Sequence, residues 1–230
     1  MVFGGMQKNS FIDYPGKISC VLFCQGCNFR CPYCHNPGLI HREKSRETDE
    51  KEVYDFLLSH REFLDGVVIS GGEPTLHNDL ADLCTKVKEM DYPVKLDTNG
   101  SRPKVIASLI EKGKVDYLAM DIKTDPAFYS DLLRENCDQK SILSSIRIIR
   151  ESGLPHEFRT TCARPFVSEE IITLISHLIQ GADLYAIQQV HGNGILEPEF
   201  FKEKDSVFTD EDLQHFREIA APLVHECIVR

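Results

Sequence analysis

The stretch SCVLFCQGCNFRCPYCHNP, residues 19–37, places five cysteines between Cys20 and Cys34. It contains C-x3-C-x2-C twice in overlapping frames, Cys20/Cys24/Cys27 and Cys27/Cys31/Cys34. The preceding run KISCVLF, residues 17–23, has the β-branched, apolar character of a strand. The first frame would therefore begin inside a strand, where Cys20 and Phe23 point to opposite faces. The second lies beyond it, in a segment carrying Pro32 and Pro37, where three sulfurs can converge.

Soft thiolates are the usual ligands of iron–sulfur clusters, and a cubane has four iron corners. Three cysteines on one loop leave one iron for a substrate, which suits chemistry at the metal better than simple electron carriage. The residue before the last cysteine is Tyr33 in the second frame and Gly26 in the first, and only an aromatic ring can pack on a bound adenine. The sequence thus favours Cys27, Cys31 and Cys34, with Cys20 in the strand core and Cys24 beside the cluster without a role. The alternative is a zinc knuckle from the pairs Cys24/Cys27 and Cys31/Cys34, although structural zinc hairpins normally separate their pairs by more than three residues.

The whole chain has 230 residues, enough for one compact α/β domain, 1–230, with a short N-terminal segment 1–16 and a C-terminal helix and strand at about 209–229. Its formal charge of −10 and lack of a basic stripe argue against nucleic-acid binding. The longest apolar runs, such as GVVIS and IITLIS, are too short to cross a bilayer, and MVFGGMQKNSF has no signal-peptide pattern, so a cytoplasmic protein is expected. An odd count of nine cysteines, five of them crowded, fits metal ligation in a reducing compartment better than a disulfide scaffold. The others, Cys84, Cys137, Cys162 and Cys227, are too scattered to build a second cluster locally.

Candidate strands at 17–23, 66–70, 93–97, 115–121, 156–162 and 183–190 alternate with helical patterns. The helical faces carry Val53/Phe56/Leu57/His60, Leu80/Leu83/Cys84/Val87, Val105/Ile106/Leu109/Ile110, Ile142/Ile146/Ile149, Ile171/Leu174/Ile175/Leu178 and Leu213/Phe216/Ile219, with Asp49 and Glu52 spaced as a capping box. Six β-then-α units imply a parallel sheet with right-handed crossovers. In such folds chemistry gathers at the carboxyl ends of strands. Ser70-Gly71-Gly72-Glu73-Pro74 follows the second strand, Asp97-Thr98-Asn99-Gly100 ends the third, and Asp121-Ile122-Lys123 ends the fourth. Arg159 lies in the fifth and His191 ends the sixth.

Each of these has a plainer reading as well. Gly71 and Gly72 let backbone approach a ligand, yet also suit an ordinary turn. Asp121 and Lys123 point to one side of an extended strand, as ligand contacts or as a solvated ion pair. Asp97-Thr98-Asn99-Gly100 is a good turn. His35 and Asn36 fit a surface loop, His191 a structural histidine, and Arg159 a partner for one of the many carboxylates.

Taken together, Cys27-x3-Cys31-x2-Cys34 with Tyr33 before the last cysteine resembles the signature of radical S-adenosylmethionine enzymes. The stretch PGKISCVLFCQGCNFRCPYCHNP resembles the subgroup that activates glycyl radical enzymes, above all activating proteins of anaerobic ribonucleoside-triphosphate reductase. The resemblance runs from Phe11 to about Phe200. It implies a partial (β/α)6 barrel, one 4Fe-4S cluster on Cys27, Cys31 and Cys34, and S-adenosylmethionine chelated at the open iron. It also implies reductive cleavage to a 5′-deoxyadenosyl radical that takes a hydrogen atom from a glycine of the partner. By the same resemblance Gly71, Gly72 and Glu73 meet the methionine ammonium, Lys123 the carboxylate, and Asp121 a ribose or cation. Tyr33, His35 and Asn36 then lie against adenine and cluster, Arg159 and His191 against the cofactor, and Asp97, Thr98 and Asp121 around a monovalent cation.

No cysteine falls between Asn36 and Gly66, so no ferredoxin-like insertion is expected there, and electrons would come from an external donor such as flavodoxin or ferredoxin. Two other functions stay in view: a radical enzyme acting on a small molecule such as a modified-base precursor, and a non-catalytic zinc-binding module.

Overall fold

The computed structural model describes residues 1–40, 48–129, 138–191, 194–201 and 207–230. Eight strands, β1 (Phe3–Ser10), β2 (Ser19–Cys24), β3 (Gly66–Gly71), β4 (Val94–Thr98), β5 (Tyr117–Asp121), β6 (His156–Cys162), β7 (Leu184–Gln189) and β8 (Glu226–Val229), follow one another in the chain. Six α-helices lie between them among the described residues: α1 (Glu50–Ser59), α2 (Leu80–Glu89), α3 (Pro103–Glu111), α4 (Gln139–Arg150), α5 (Glu169–Leu178) and α6 (Asp210–Ala220). Each helix stands between two strands, so the repeat from β2 to α6 is six βα units, the α/β class expected from the sequence.

The chain divides into two compact units. The first comprises Met1–Asn28, Gly38–Thr98 and Lys104–Leu118; the second comprises Phe29–Pro37, Asn99–Pro103 and Ala119–Arg230. Strand β5 begins in the first and ends in the second.

In the first unit β2 pairs in parallel with β3, from Ser19 opposite Gly66 to Cys24 opposite Gly71, and β3 pairs in parallel with β4. β1 pairs antiparallel with β2, with Phe3 opposite Cys24 and Ser10 opposite Ser19. Residues 1–16 thus contain a strand the sequence reading did not expect. FGGMQKNS has two glycines and a polar end, poor local strand signals, and it is ordered by the long-range ladder to β2. The register also explains Cys20 and Cys24, both fully buried in β2. On one side of this sheet, Tyr14, Val21, Val68 and Tyr117 form an apolar cluster against which Phe23 packs. Helices α1 and α2 supply Val53, Leu57, Leu83, Cys84 and Val87 as buried residues. At the start of α1, Asp49 accepts from the Lys51 N–H, the N2 position rather than the N3 position of a capping box.

In the second unit β6, β7 and β8 run parallel in neighbouring register, Arg159 opposite Ala186 and Ala186 opposite Ile228. Helix α6 opens on a true capping box, Thr209 with Asp212. Helix α5 buries Ile172, Ile175 and Ser176, while Leu174 is exposed. The face expected from Ile171 and Leu174 is therefore rotated by one residue. The hidden polar position is what obscured it: Ser176 Oγ donates to the Ile172 carbonyl at 2.7 Å, which satisfies the hydroxyl inside the apolar stripe.

Candidate functional site

At the carboxyl end of β3 the chain turns sharply through Gly71, at φ +109°, and Gly72. Gly72 N–H donates to the Cys24 carbonyl at 2.8 Å and Glu73 N–H to the Gly26 carbonyl at 2.8 Å. The two glycines thereby let the turn lie flat against the residues leading to Cys27. A β-carbon on Gly71 would come within 2.5 Å of Cys24 N, and one on Gly72 would run into the Gly26 carbonyl. Backbone cannot yield here as a flexible side chain would. Gly72→Ala should therefore cost about 2 kcal/mol, seen as a lower denaturation midpoint with an unchanged slope.

Glu73 is fully buried. Its Oε1 accepts from Thr75 N at 3.1 Å, from Thr75 Oγ1, and from Thr98 Oγ1 at 2.8 Å. These bonds tie the end of β3 to the end of β4 within the first unit. The role of Thr98 in holding Glu73 was not legible in the sequence, where Thr98 looked like a cation ligand. Asp97, beside it, accepts from Ser70 Oγ at 3.1 Å and stands 3.4 Å from Lys95 Nζ.

The boundary between the units falls between Asn28 and Phe29, so Cys27 belongs to the first, and Cys31 and Cys34 to the second. In the first unit Gly26 N–H and Cys27 N–H donate to the carbonyls of Leu39 and Ile40, at 2.6 and 3.2 Å. In the second, contacts with later parts of the chain hold the segment from Phe29 to Pro37. Phe29 meets Tyr129 edge-on at 5.9 Å, Tyr33 meets Phe166 edge-on at 5.0 Å, and Glu197 N–H donates to the Pro32 carbonyl at 3.0 Å. Tyr129 and Phe166 were not singled out from the sequence, because aromatic residues following a strand have no local signature of what they clasp.

Cys31 is buried, and Cys34 is half-buried with its N–H on the Cys31 carbonyl at 2.9 Å. Burial pushes the Cys31 thiol up to about 11, partly offset by the positive charge of Lys123. Burial also raises Cys34. None of the eight described cysteines is in a disulfide, and Cys137 lies outside the described residues. Among the described residues no three His, Cys, Asp or Glu side chains are grouped as a preformed metal cage. The chemistry of the donor set nonetheless fits an iron–sulfur cluster: soft sulfurs on a short loop and in no disulfide, with Lys123 partly offsetting burial at Cys31. The Tyr33 hydroxyl is buried with no hydrogen-bond partner among the described residues, an orphaned polar atom in the same segment.

Asp121, Lys123 and Arg159 meet in the second unit. Arg159 Nε donates to Asp121 Oδ1 at 2.7 Å, and Lys123 Nζ to Asp121 Oδ2 at 3.0 Å. Burial alone would raise the Asp121 carboxyl, but Arg159 and Lys123 outweigh it and hold the group well below the usual carboxylate range. Burial likewise works against the Lys123 ammonium, and Asp121 and Cys31 overcome it, so its pKa is raised. Arg159 Nη1 also lies 3.7 Å from Glu157 Oε1, and the buried Glu157 carboxylate is paired with Arg230 at 2.9 Å. The run Arg230–Glu157–Arg159–Asp121–Lys123 alternates in sign.

His35 and Asn36 are exposed. His35 Nε2 lies 3.1 Å from the His191 carbonyl O and 3.3 Å from its N, donating to the one or accepting from the other according to tautomer. His191 is therefore brought to His35, two positions beyond β7 rather than at its end.

The comparisons with known proteins agree with this chemistry. Residues 21–178 match the Radical SAM superfamily. The chain is 36% identical, over 98% of itself and 94% of the relative, to a Methanocaldococcus jannaschii protein named "Putative glycyl-radical enzyme activating enzyme". It is 34% identical to the pyruvate formate-lyase-activating enzyme of Listeria monocytogenes over 49% of either chain. In fold it is similar to Streptococcus suis SuiB bound to S-adenosylmethionine, with a TM-score of 0.69, 16% identity, and coverage of 90% of this chain and 51% of SuiB. The chain belongs to the Radical SAM superfamily, as a glycyl-radical enzyme activating enzyme using a 4Fe-4S cluster and S-adenosylmethionine.

Proposed function

We propose that Cys27, Cys31 and Cys34 hold the cluster, and that the partner given a glycyl radical is anaerobic ribonucleoside-triphosphate reductase. The observation that carries the first part is the combination of three closely spaced sulfurs outside any disulfide with a Lys123 charge that bears on Cys31 and Cys34. When bound, the cluster and S-adenosylmethionine together supply a carbon-centred radical able to abstract hydrogen from glycine.

The protein's own residues bind, orient and exclude water. Lys123 and Arg159 take the cofactor's carboxylate, with Asp121 keeping both cations in place and reaching a ribose hydroxyl. Gly71, Gly72 and Glu73 present the turn at the end of β3 to the methionine ammonium. Tyr33, His35 and Asn36 line the adenine side, and His191 steadies His35 through its backbone. Electrons come from an external flavodoxin or ferredoxin, in the cytoplasm. Among the described residues no helix is long and apolar enough to cross a membrane.

The reductase partner rests on the likeness of residues 15–37 to its activating proteins. A second reading, pyruvate formate-lyase as partner, is favoured by the Listeria relative. The reconstituted protein, S-adenosylmethionine and a reductant should be mixed anaerobically with each glycyl radical enzyme of the source organism, and the radical read by electron paramagnetic resonance. A glycyl signal on the reductase alone is the expected result. A signal only on the lyase transfers the assignment, and a modified small metabolite without any protein radical removes it.

A further inference from the structure

The expected monovalent cation does not fit the carboxylates assigned to it. Both oxygens of Asp121 already carry a side-chain cation of their own unit, Arg159 on one and Lys123 on the other. Asp97, in the first unit, faces Lys95. Lys95 lies in β4, two residues before Asp97, so both side chains leave the strand on the same face. Its side chain is only 1% exposed, an extreme position for a lysine.

The surroundings of that ammonium are those of a cation cradle. Nζ donates to the Asp13 carbonyl, stands 3.4 Å from Asp97 Oδ1, and lies 5.4 Å from the centre of the Tyr117 ring. Asp97 is in turn fixed by Ser70 at 3.1 Å. The Asp13 carbonyl is presented by a turn in which Ser10 Oγ donates to Asp13 Oδ2 at 2.5 Å and accepts from the N–H groups of Ile12 and Asp13. Tyr14 packs at 5.6 Å on the far ring of the cradle, Tyr117. Hard oxygens and an aromatic face are what a small monocation binds.

We propose that the Lys95 ammonium is the resident cation of this enzyme, a tethered replacement for a monovalent metal ion, and that it couples the turn at Asp13 to Asp97 at the carboxyl end of β4. A metal ion added beside it would place two positive charges about 4 Å apart in a buried site, where they repel strongly. The enzyme is therefore indifferent to which monovalent salt surrounds it. This inference does not depend on the thiol ligands or the partner proposed above, since the groups around Lys95 all lie in the first unit.

The test compares thermal unfolding of the full chain, with and without its cluster, in chlorides of tetramethylammonium, sodium, potassium and ammonium at equal ionic strength. Wild type should unfold at one temperature in all four. Lys95→Met should unfold earlier in tetramethylammonium and be shifted back, saturably, by potassium, sodium or ammonium. Lys95→Met/Asp97→Asn, which removes both charges, should fold and show no such shift. A saturable gain of wild type with sodium or potassium would overturn the proposal, as would a Lys95→Met variant that folds yet is shifted by no small cation. Should Lys95→Met fail to fold in every salt, the wild-type and double-variant arms still decide: a salt-selective shift in either one overturns it.

Discussion

Cys27→Ala, Cys31→Ala and Cys34→Ala should each lose the iron–sulfur cluster, whereas Cys20→Ala and Cys24→Ala should keep it. The contrast follows from where β2 ends. Cys20 and Cys24 are fully buried strand residues, and the Cys24 sulfur already lies 3.5 Å from the Met1 sulfur. Burial pushes the Cys20 thiol up to about 12 and that of Cys24 still higher. Their loss removes buried volume and should cost about 1 kcal/mol of stability. Removing any one of the other three leaves too few sulfurs for a cubane. Iron and sulfide per chain, with the brown visible absorption, measure the outcome after anaerobic reconstitution. Cluster loss in Cys24→Ala with retention in Cys34→Ala would mean that the wrong frame has been assigned.

Disrupting the triad of Asp121, Lys123 and Arg159 should be nearly as damaging, through the organic cofactor rather than the iron. Lys123→Met should weaken S-adenosylmethionine binding about tenfold, the worth of one charge-assisted hydrogen bond, while iron content stays normal. Equilibrium dialysis of the reconstituted protein separates the two. Asp121→Asn leaves Arg159 and Lys123 facing each other without their carboxylate and should destabilise the fold by about 2 kcal/mol, below the usual cost for a broken buried pair because Asp121 is partly exposed. The sign of its pH dependence is fixed by the pKa of Asp121, which is lower folded than unfolded. The contribution is fully present above the unfolded carboxylate value and is lost as pH falls through the folded one. The stability gap between wild type and Asp121→Asn should therefore be constant from about pH 6 to 8 and shrink below about pH 4. A gap that widens in acid would assign the stability to another group.

Much of this was legible in the sequence because each βα unit announces itself locally. The runs GVVIS and LAMD end in glycine pairs or charged residues, and those endings sit at the carboxyl ends of β3 and β5 in the structure. What stayed hidden depends on partners far away in the chain. Residues 3–10 form a strand only because β2 offers a free edge. Lys95 looks like the polar side of a half-buried strand, yet every residue of β4 is buried, and the lysine is accommodated only by groups brought from Asp13 and Tyr117. Glu73 is held by Thr98 from the next strand rather than by its own turn alone. Ser176 interrupts the apolar stripe of α5 with a hydroxyl whose bond is invisible in a hydrophobicity pattern.

The measurement that bears most directly on the central claim, a sulfonium cofactor split at a cluster held by three cysteines, is turnover without any partner. The reconstituted protein is given S-adenosylmethionine and dithionite, and 5′-deoxyadenosine and methionine are quantified by chromatography. Both products should form in wild type and be absent from Cys27→Ala, Cys31→Ala and Cys34→Ala. Wild-type protein with its full complement of iron that leaves S-adenosylmethionine intact would contradict the account.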